Sequence, residues 1–195
     1  MIELDFIKDD NKINLKANIC ENDTLKKYLK FEYFTNLCKE GCPNYNSNYT
    51  CPPNSPNFQD YIKDYKYSFI IAMYMKISKH NTIVDAHQYL RSLLSDLLIP
   101  LEAKVNGLLT DGGRCLICKS CAYVDKLPCR FPQKMRFSME SMGIDLDGVS
   151  KDILNHSLTW NEDENNYCTV IGSVNFNNLG NYDLKKIILE KIMLI

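Results

Sequence analysis

The 195-residue sequence has no surplus of charge: 23 Lys and Arg stand against 24 Asp and Glu, for a net charge of −1. That balance offers nothing to nucleic acid or to an anionic membrane surface, so neither is expected as a partner. No apolar run is long enough to span a bilayer. The first residues, Met1-Ile2-Glu3-Leu4-Asp5, lack a basic stretch followed by an apolar core, so no secretory signal is expected. No G-x-G-x-x-G follows a strand pattern and no G-x-x-x-x-G-K-[ST] occurs, which removes the usual grounds for nucleotide binding. The C-x3-C-x2-C spacing of radical S-adenosylmethionine enzymes is missing too, because Cys38-x3-Cys42 has no third cysteine at that distance. Histidine is scarce. His80, His87 and His156 fit no H-x-x-x-H, H-E-x-x-H or zinc-finger spacing and read as surface or core residues, with His156 the only one weighed as a distant ligand. There is no internal repeat and no low-complexity linker.

Cysteine, by contrast, is plentiful. Nine cysteines in a chain expected in the cytoplasm point to metal or redox chemistry, since disulfides rarely persist there. An odd number also excludes complete pairing within one chain. The densest group is Cys115-Leu-Ile-Cys118-Lys-Ser-Cys121, followed by Cys129, a C-x2-C-x2-C-x7-C pattern. Three evenly spaced thiolates on one loop reach three corners of a compact inorganic cluster, and a fourth closes the set. The first three match the bacterial ferredoxin run of a [4Fe–4S] site; the last spacing is longer. Zinc is the alternative, although structural zinc normally draws on two separated C-x2-C knuckles. Four unrelated buried thiols are the other competing reading. Asp111-Gly112-Gly113-Arg114 precedes the triplet, and its glycines suit a nest of N–H groups around an anionic cluster. Arg114 and Arg130 flank the ligands, placed either to donate to cluster sulfur or an anion or to sit as plain surface residues.

A second group, Cys38-x3-Cys42-x8-Cys51, ends in Cys51-Pro52-Pro53 and lies in a loop rich in Asn and Pro. It offers three local thiolates. A fourth ligand is distant (Cys20 or Cys168), not a cysteine, or missing; a missing one leaves an open iron. Three incidental thiols are the competing reading here. Glu140, between two methionines, reads as acidic surface before site residue.

The periodicities give an expected fold of α/β or α+β class: a small mixed sheet with flanking helices and two cysteine-rich metal-binding loops. Alternation around Asp9-Asp10-Asn11 predicts a strand or hairpin over residues 1–19. Asn22 or Asp23 is placed to cap a helix running through Leu25, Tyr28 and Leu29 into Cys38. Ser55-Pro56 reads as a helix start, and Tyr67 to Ile77 as a buried strand. Asn81 or Thr82 opens a long amphipathic helix through Leu90, Leu94 and Leu97, which Pro100 kinks or restarts and Asn106-Gly107 ends. A helix is expected from Pro132 or Gln133 to Met142, stopped by Gly143. Asp145-Leu-Asp147-Gly148 lacks the other ligands of a calcium loop and reads as a turn and cap. Tyr167 to Phe176 is a further strand. Residues 1–176 form one expected cysteine-rich iron–sulfur domain. Residues 177–195 form an apolar appendage that packs on that domain or on a second subunit.

Several of these stretches resemble one family. Cys51-Pro52-Pro53, the Cys115/Cys118/Cys121 triplet, Pro128-Cys129-Arg130-Phe131-Pro132 and Ser138-Met-Glu-Ser-Met-Gly-Ile-Asp145 are similar to a bacterial and archaeal family of predicted metal-binding proteins, domain of unknown function 2284. The resemblance covers about Cys38 to Phe176. It implies metal binding by a single cysteine-rich domain and transfers no reaction.

The expected function is an iron–sulfur protein that carries electrons in the cytoplasm. Cys115, Cys118, Cys121 and Cys129 hold one [4Fe–4S] cluster, and Cys38, Cys42 and Cys51 a second centre. The alternatives are an enzyme using an open iron at the three-cysteine centre as Lewis acid or sulfur carrier, and a zinc-stabilised binding module. The partner is a redox protein or a small-molecule substrate, with self-association left open.

Overall fold

The computed structural model describes residues 1–77, 82–159, 167–180 and 182–194. Its frame is a five-stranded sheet in the order β1 (Ile2–Lys8), β2 (Asn11–Glu21), β3 (Tyr67–Lys76), β5 (Tyr167–Phe176), β4 (Leu108–Thr110). All four pairings are antiparallel, where a mixed sheet was expected. The parallel element is a single isolated bridge, Asp111 to Ser138. With its helices segregated between the strands, the fold belongs to the α+β class.

Local chemistry explains the elements. Asp9 and Asp10 both adopt positive φ (48° and 61°), the two-residue turn that matches the twist of a hairpin, and so join β1 to β2 in register. β3 reads as a continuous apolar run because both of its faces are covered. Phe69, Ile71, Met73 and Met75 point into one hydrophobic cluster, and Ile70 and Ala72 into another.

The first cluster is closed by α3 (Ile83–Val105) and α5 (Leu184–Ile192). α3 begins with a capping box: the Thr82 hydroxyl accepts from the Asp85 N–H, while the Asp85 carboxylate takes up the Thr82 N–H. It runs through Pro100 without ending and stops at Asn106 in the left-handed region. Asn81, the other expected cap, and His80 lie outside the described residues. In the C-terminal segment, Leu184, Ile187 and Ile188 are buried against the same cluster. No helix among the described residues is long and apolar enough to cross a membrane.

On the other face of the sheet lie a 3-10 turn at Asn22–Tyr28, the short α2 (Phe58–Tyr61) and α4 (Leu146–Leu154). Three expectations are corrected here. The helix expected to run from Asn22 into Cys38 is broken: Leu29 pairs with Ile144, and a separate α1 (Phe31–Gly41) follows. α2 is capped by Asn57, whose side chain accepts from the Gln59 N–H, because the Ser55 hydroxyl is turned to the Ser141 carbonyl. The helix expected over 132–142 is two 3-10 turns, Pro132–Lys134 and Glu140–Met142, joined by extended chain. Tertiary contacts override local propensity there: Arg136 makes a bidentate pair with Glu102, the Asp111 N–H donates to the Phe137 carbonyl, and Phe137 and Met139 are buried.

Candidate metal centres

Cys115, Cys118, Cys121 and Cys129 line one small cavity, together with Tyr49, Thr50, Ala122, Arg130, Phe131 and Met135. The loop between the third and fourth cysteines is wound by its own backbone. Val124, Asp125 and Lys126 donate back to Cys121, Ala122 and Tyr123, with Lys126 at φ 56°. This winding returns Cys129 to the triplet across the seven intervening residues. Arg130 then locks the closure by donating from its guanidinium to the Ser120 carbonyl at 2.8 Å. Burial pushes the Cys115 thiol up, and the neighbouring Cys129, Cys118 and Cys121 add to the shift.

Cys38, Cys42 and Cys51 line a second cleft of about 310 Å³. Cys38 sits in the last turn of α1 and Cys42 is its cap, with the Cys42 N–H donating to the Cys38 carbonyl at 3.0 Å. A spacing of four places both thiols on one side of the helix end. Cys51 is brought in by a loop folded on itself: the Asn46 N–H donates to the Pro52 carbonyl at 2.7 Å, and the buried Asn48 side chain accepts from Thr50. Burial pushes the Cys38 thiol up to about 11, reinforced by Cys42, Cys51 and Glu140. Burial raises Cys51 as well, opposed by a hydrogen bond from Asn48.

The two cysteine loops touch. The Cys115 N–H donates to the Thr50 hydroxyl at 2.9 Å, one residue before Cys51. Tyr49 packs edge-on against Tyr123 at 5.1 Å, and its hydroxyl donates to the Leu127 carbonyl at 2.6 Å. Arg114 and Leu116, the residues on either side of Cys115, line the three-cysteine cleft.

Other expectations fare differently. Cys20 and Cys168 lie within β2 and β5, where burial pushes both thiols up to about 11, and neither lines the cleft. His156 is also elsewhere, stacked on Tyr74 at 4.1 Å and 3.1 Å from the Thr169 hydroxyl. Gly112 is needed for close packing rather than for a nest: a Cβ there would fall 2.1 Å from Val170, and its N–H is spent on the Asp111 carboxylate at 2.7 Å. Glu140 is not surface. It lines the cleft, and its Oε2 atom is buried with no hydrogen-bond partner. Burial raises its carboxyl above the usual carboxylate range, against the pull of Ser138 and Arg91.

Sequence reasoning missed His87 and Arg91, which α3 presents to the same cleft. Arg91 is buried and paired with Asp111 at 2.6 Å. A histidine and an arginine four apart on an otherwise leucine-rich helix were the available signal.

Among the described residues, no group of three or more His, Cys, Asp or Glu is arranged to hold a metal ion. Thiolates that each bind a different atom of a cluster stand farther apart than ligands converging on one ion. Four thiols around one cavity match a [4Fe–4S] cluster in donor number and chemistry, around a space of about 30 Å³ that the loop would have to widen to hold one. Three thiols, Cys38, Cys42 and Cys51, share the second cleft.

A family model described as "Predicted metal-binding protein (DUF2284)" matches residues 28–175, a span that contains both cysteine loops. No curated protein and no solved structure matches the chain.

Proposed function

We propose, for a chain that belongs to the predicted metal-binding protein family DUF2284, a role as an iron–sulfur protein that passes electrons between two adjacent centres. Cys115, Cys118, Cys121 and Cys129 hold one [4Fe–4S] cluster, and Cys38, Cys42 and Cys51 a second. The carrying observation is the joint between the loops, in which the backbone of one candidate ligand, Cys115, hydrogen-bonds the residue next to another, Cys51. A cluster at each position supplies a one-electron couple; the chain sets its access and surroundings. The ligand thiols are half-buried apart from the buried Cys51, Arg91 places a cation on the wall of the three-cysteine cleft, and Leu116, which lines that cleft, is 51 % exposed. The nine free thiols suit a reducing compartment, which favours the cytoplasm. The exposed Leu116, Ile117, Val124, Leu127 and Phe131 around the four-cysteine loop offer a face to a redox partner.

A second reading has its own observation. An apolar cavity of about 680 Å³ shares His87 and Glu140 with the three-cysteine cleft. That arrangement suits an enzyme whose substrate reaches the three-cysteine centre from the apolar side.

Anaerobic purification followed by iron, sulfide and zinc analysis tests both readings, with absorption and paramagnetic resonance before and after dithionite. About eight irons and eight sulfides per chain with reversible reduction support the proposal, and about four leave one centre unfilled. Spectra perturbed by small ligands favour the enzyme. Stoichiometric zinc without iron overturns both and leaves a zinc-stabilised module.

A further inference from the structure

We infer that the four-cysteine loop is the docking face for a small acidic electron-carrier protein, held by cations interleaved with exposed apolar side chains. The inference rests on the reading of that loop as an iron–sulfur centre and names the chemistry of its redox partner.

The first ground is charge. From Arg114 to Arg136 the sequence holds six Lys and Arg against one acid, Asp125, a net of +5 in a chain whose net is −1. The rest of the chain therefore carries −6. Five of the six cations, Arg114, Lys119, Lys126, Arg130 and Lys134, are exposed. None of these five is in an ion pair among the described residues, whereas Arg136 is paired with Glu102. Acids on the neighbouring groove do not offset them. Glu102 and Asp111 are taken up by Arg136 and Arg91, which leaves Asp96 alone on that wall. Unpaired charge of one sign, gathered on one loop, steers and orients a surface of the opposite sign.

The second ground is the apolar surface among these cations. Leu116, Ile117, Val124, Leu127 and Phe131 are 44–65 % exposed. They share places with the charges. Ile117, Arg130 and Phe131 stand around the four-cysteine cavity, and Leu116, Ile117 and Lys134 line a groove of about 570 Å³ beside Cys115. The Arg130 guanidinium reaches the Ser120 carbonyl at 2.8 Å, which sets it next to Lys119. Leu127 is fixed to the same cavity wall through its carbonyl, which accepts from Tyr49. Apolar contact area with charged groups around it is the anatomy of a protein–protein interface.

The third ground separates an acidic protein from other anionic surfaces. A phosphate backbone gains nothing from four exposed aliphatic side chains. Phe131 is the one exposed aromatic of the loop, and Lys134 lies over its ring at 5.9 Å, where a base would have to stack. A bilayer interface favours Trp and Tyr as anchors, and the loop exposes neither. The four cysteines are half-buried directly beneath this face, so a docked carrier has a short path to them. One electron would pass from the reduced carrier to the centre in the loop, oxidising the first and reducing the second, with no bond made or broken.

The test uses the full chain, purified anaerobically with its metal. Flavodoxin is the acidic probe, and cytochrome c, a basic carrier, is the control. Calorimetric titration reads binding and stopped-flow absorption reads electron transfer. At about 0.01 M salt, where charges act over about 30 Å, flavodoxin is expected to bind and cytochrome c is not. Lys119→Glu, Lys126→Glu and Lys134→Glu should each weaken flavodoxin binding about threefold, and the triple variant about tenfold or more. These differences should fall below about twofold at about 1 M salt, where the range is about 3 Å. Val124→Ser combined with Leu127→Ser should weaken binding about threefold at both salt strengths. Lys185→Glu, on α5 and outside the loop, should change nothing. Unaltered iron content and reduction by dithionite report in each variant that fold and centre are intact. Absence of flavodoxin binding at low salt, or binding indifferent to the three lysines, overturns the inference. So does tighter binding, through the same lysines, of a phosphatidylserine vesicle or a single-stranded oligonucleotide. Lysine-dependent flavodoxin binding by a chain that carries zinc or no iron upholds the acidic partner and overturns the iron–sulfur reading instead.

Discussion

One carboxylate organises the wall between β4 and the three-cysteine cleft. Asp111 accepts from Arg91 at 2.6 Å, from the Ser95 hydroxyl at 3.2 Å and from the Gly112 N–H at 2.7 Å. Removing it leaves Arg91 buried and unpaired, so Asp111→Ala is expected to cost about 3 kcal/mol, read from a urea unfolding midpoint. A smaller loss is expected for Gly112→Ala, about 1–3 kcal/mol in the same assay, because the new methyl would overlap Val170 at 2.1 Å. Which residues form the candidate centres was written in the sequence to unequal degrees. The cysteines announce themselves by spacing, since ligands on one short loop are near each other in sequence as well as in space. Glu140 and His87 do not. They lie on segments remote from Cys38 in the chain, and only the fold makes them neighbours. Glu140 looks like surface because a single acidic residue among methionines carries no period, and the burial of its Oε2 is a product of the folded chain.

At the scale of elements, the short α4 depends on the residue that caps it. The Asp145 side chain accepts from the Gly148 N–H and pairs with Lys30 at 2.7 Å, fastening α4 to the residue before α1. Asp145→Ala is expected to destabilise the protein by about 1 kcal/mol in thermal or chemical unfolding, the usual worth of a lost cap. The pH dependence follows in sign. Burial works against the ionised form, but Lys30 and the Gly148 N–H hold the Asp145 carboxyl below the usual range. Its contribution is present above about pH 4, where an unfolded Asp ionises, and disappears as the pH falls through the lower folded value. Wild type and Asp145→Asn should therefore converge in stability on acidification. Strands β1, β2, β3 and β5, the hairpin turn, the Thr82 cap and the Asn106 stop of α3 were legible because each has a local cause: an apolar or alternating run, turn residues, a capping hydroxyl; the short β4 was not. The stretch from Pro132 to Met142 was not, because Arg136 finds its partner Glu102 on α3 and Ser138 bridges to Asp111. Local propensity for a helix carries no information about either contact.

The whole molecule divides into parts of different robustness. The sheet with α3 and α5 holds a continuous apolar core, whereas the four-cysteine loop leaves Leu116, Ile117, Val124 and Leu127 exposed and rests on turn hydrogen bonds. Stripping metal with a chelator under reducing conditions is expected to open this loop first. Trypsin should then cut at Lys119, Lys126 or Arg130 at least tenfold faster than in the metal-bound protein, with far-ultraviolet dichroism largely retained. Equal cutting rates in both forms would argue that the loop is ordered without metal. The hydrogen bond from Cys115 to Thr50 bears on how such a protein matures. Thr50 belongs to one cysteine loop and Cys115 to the other, so ordering either loop restrains an anchor of its neighbour. On the proposal of two centres, filling becomes a matter of sequence in time: completing one loop is expected to hold in place an anchor that the other needs.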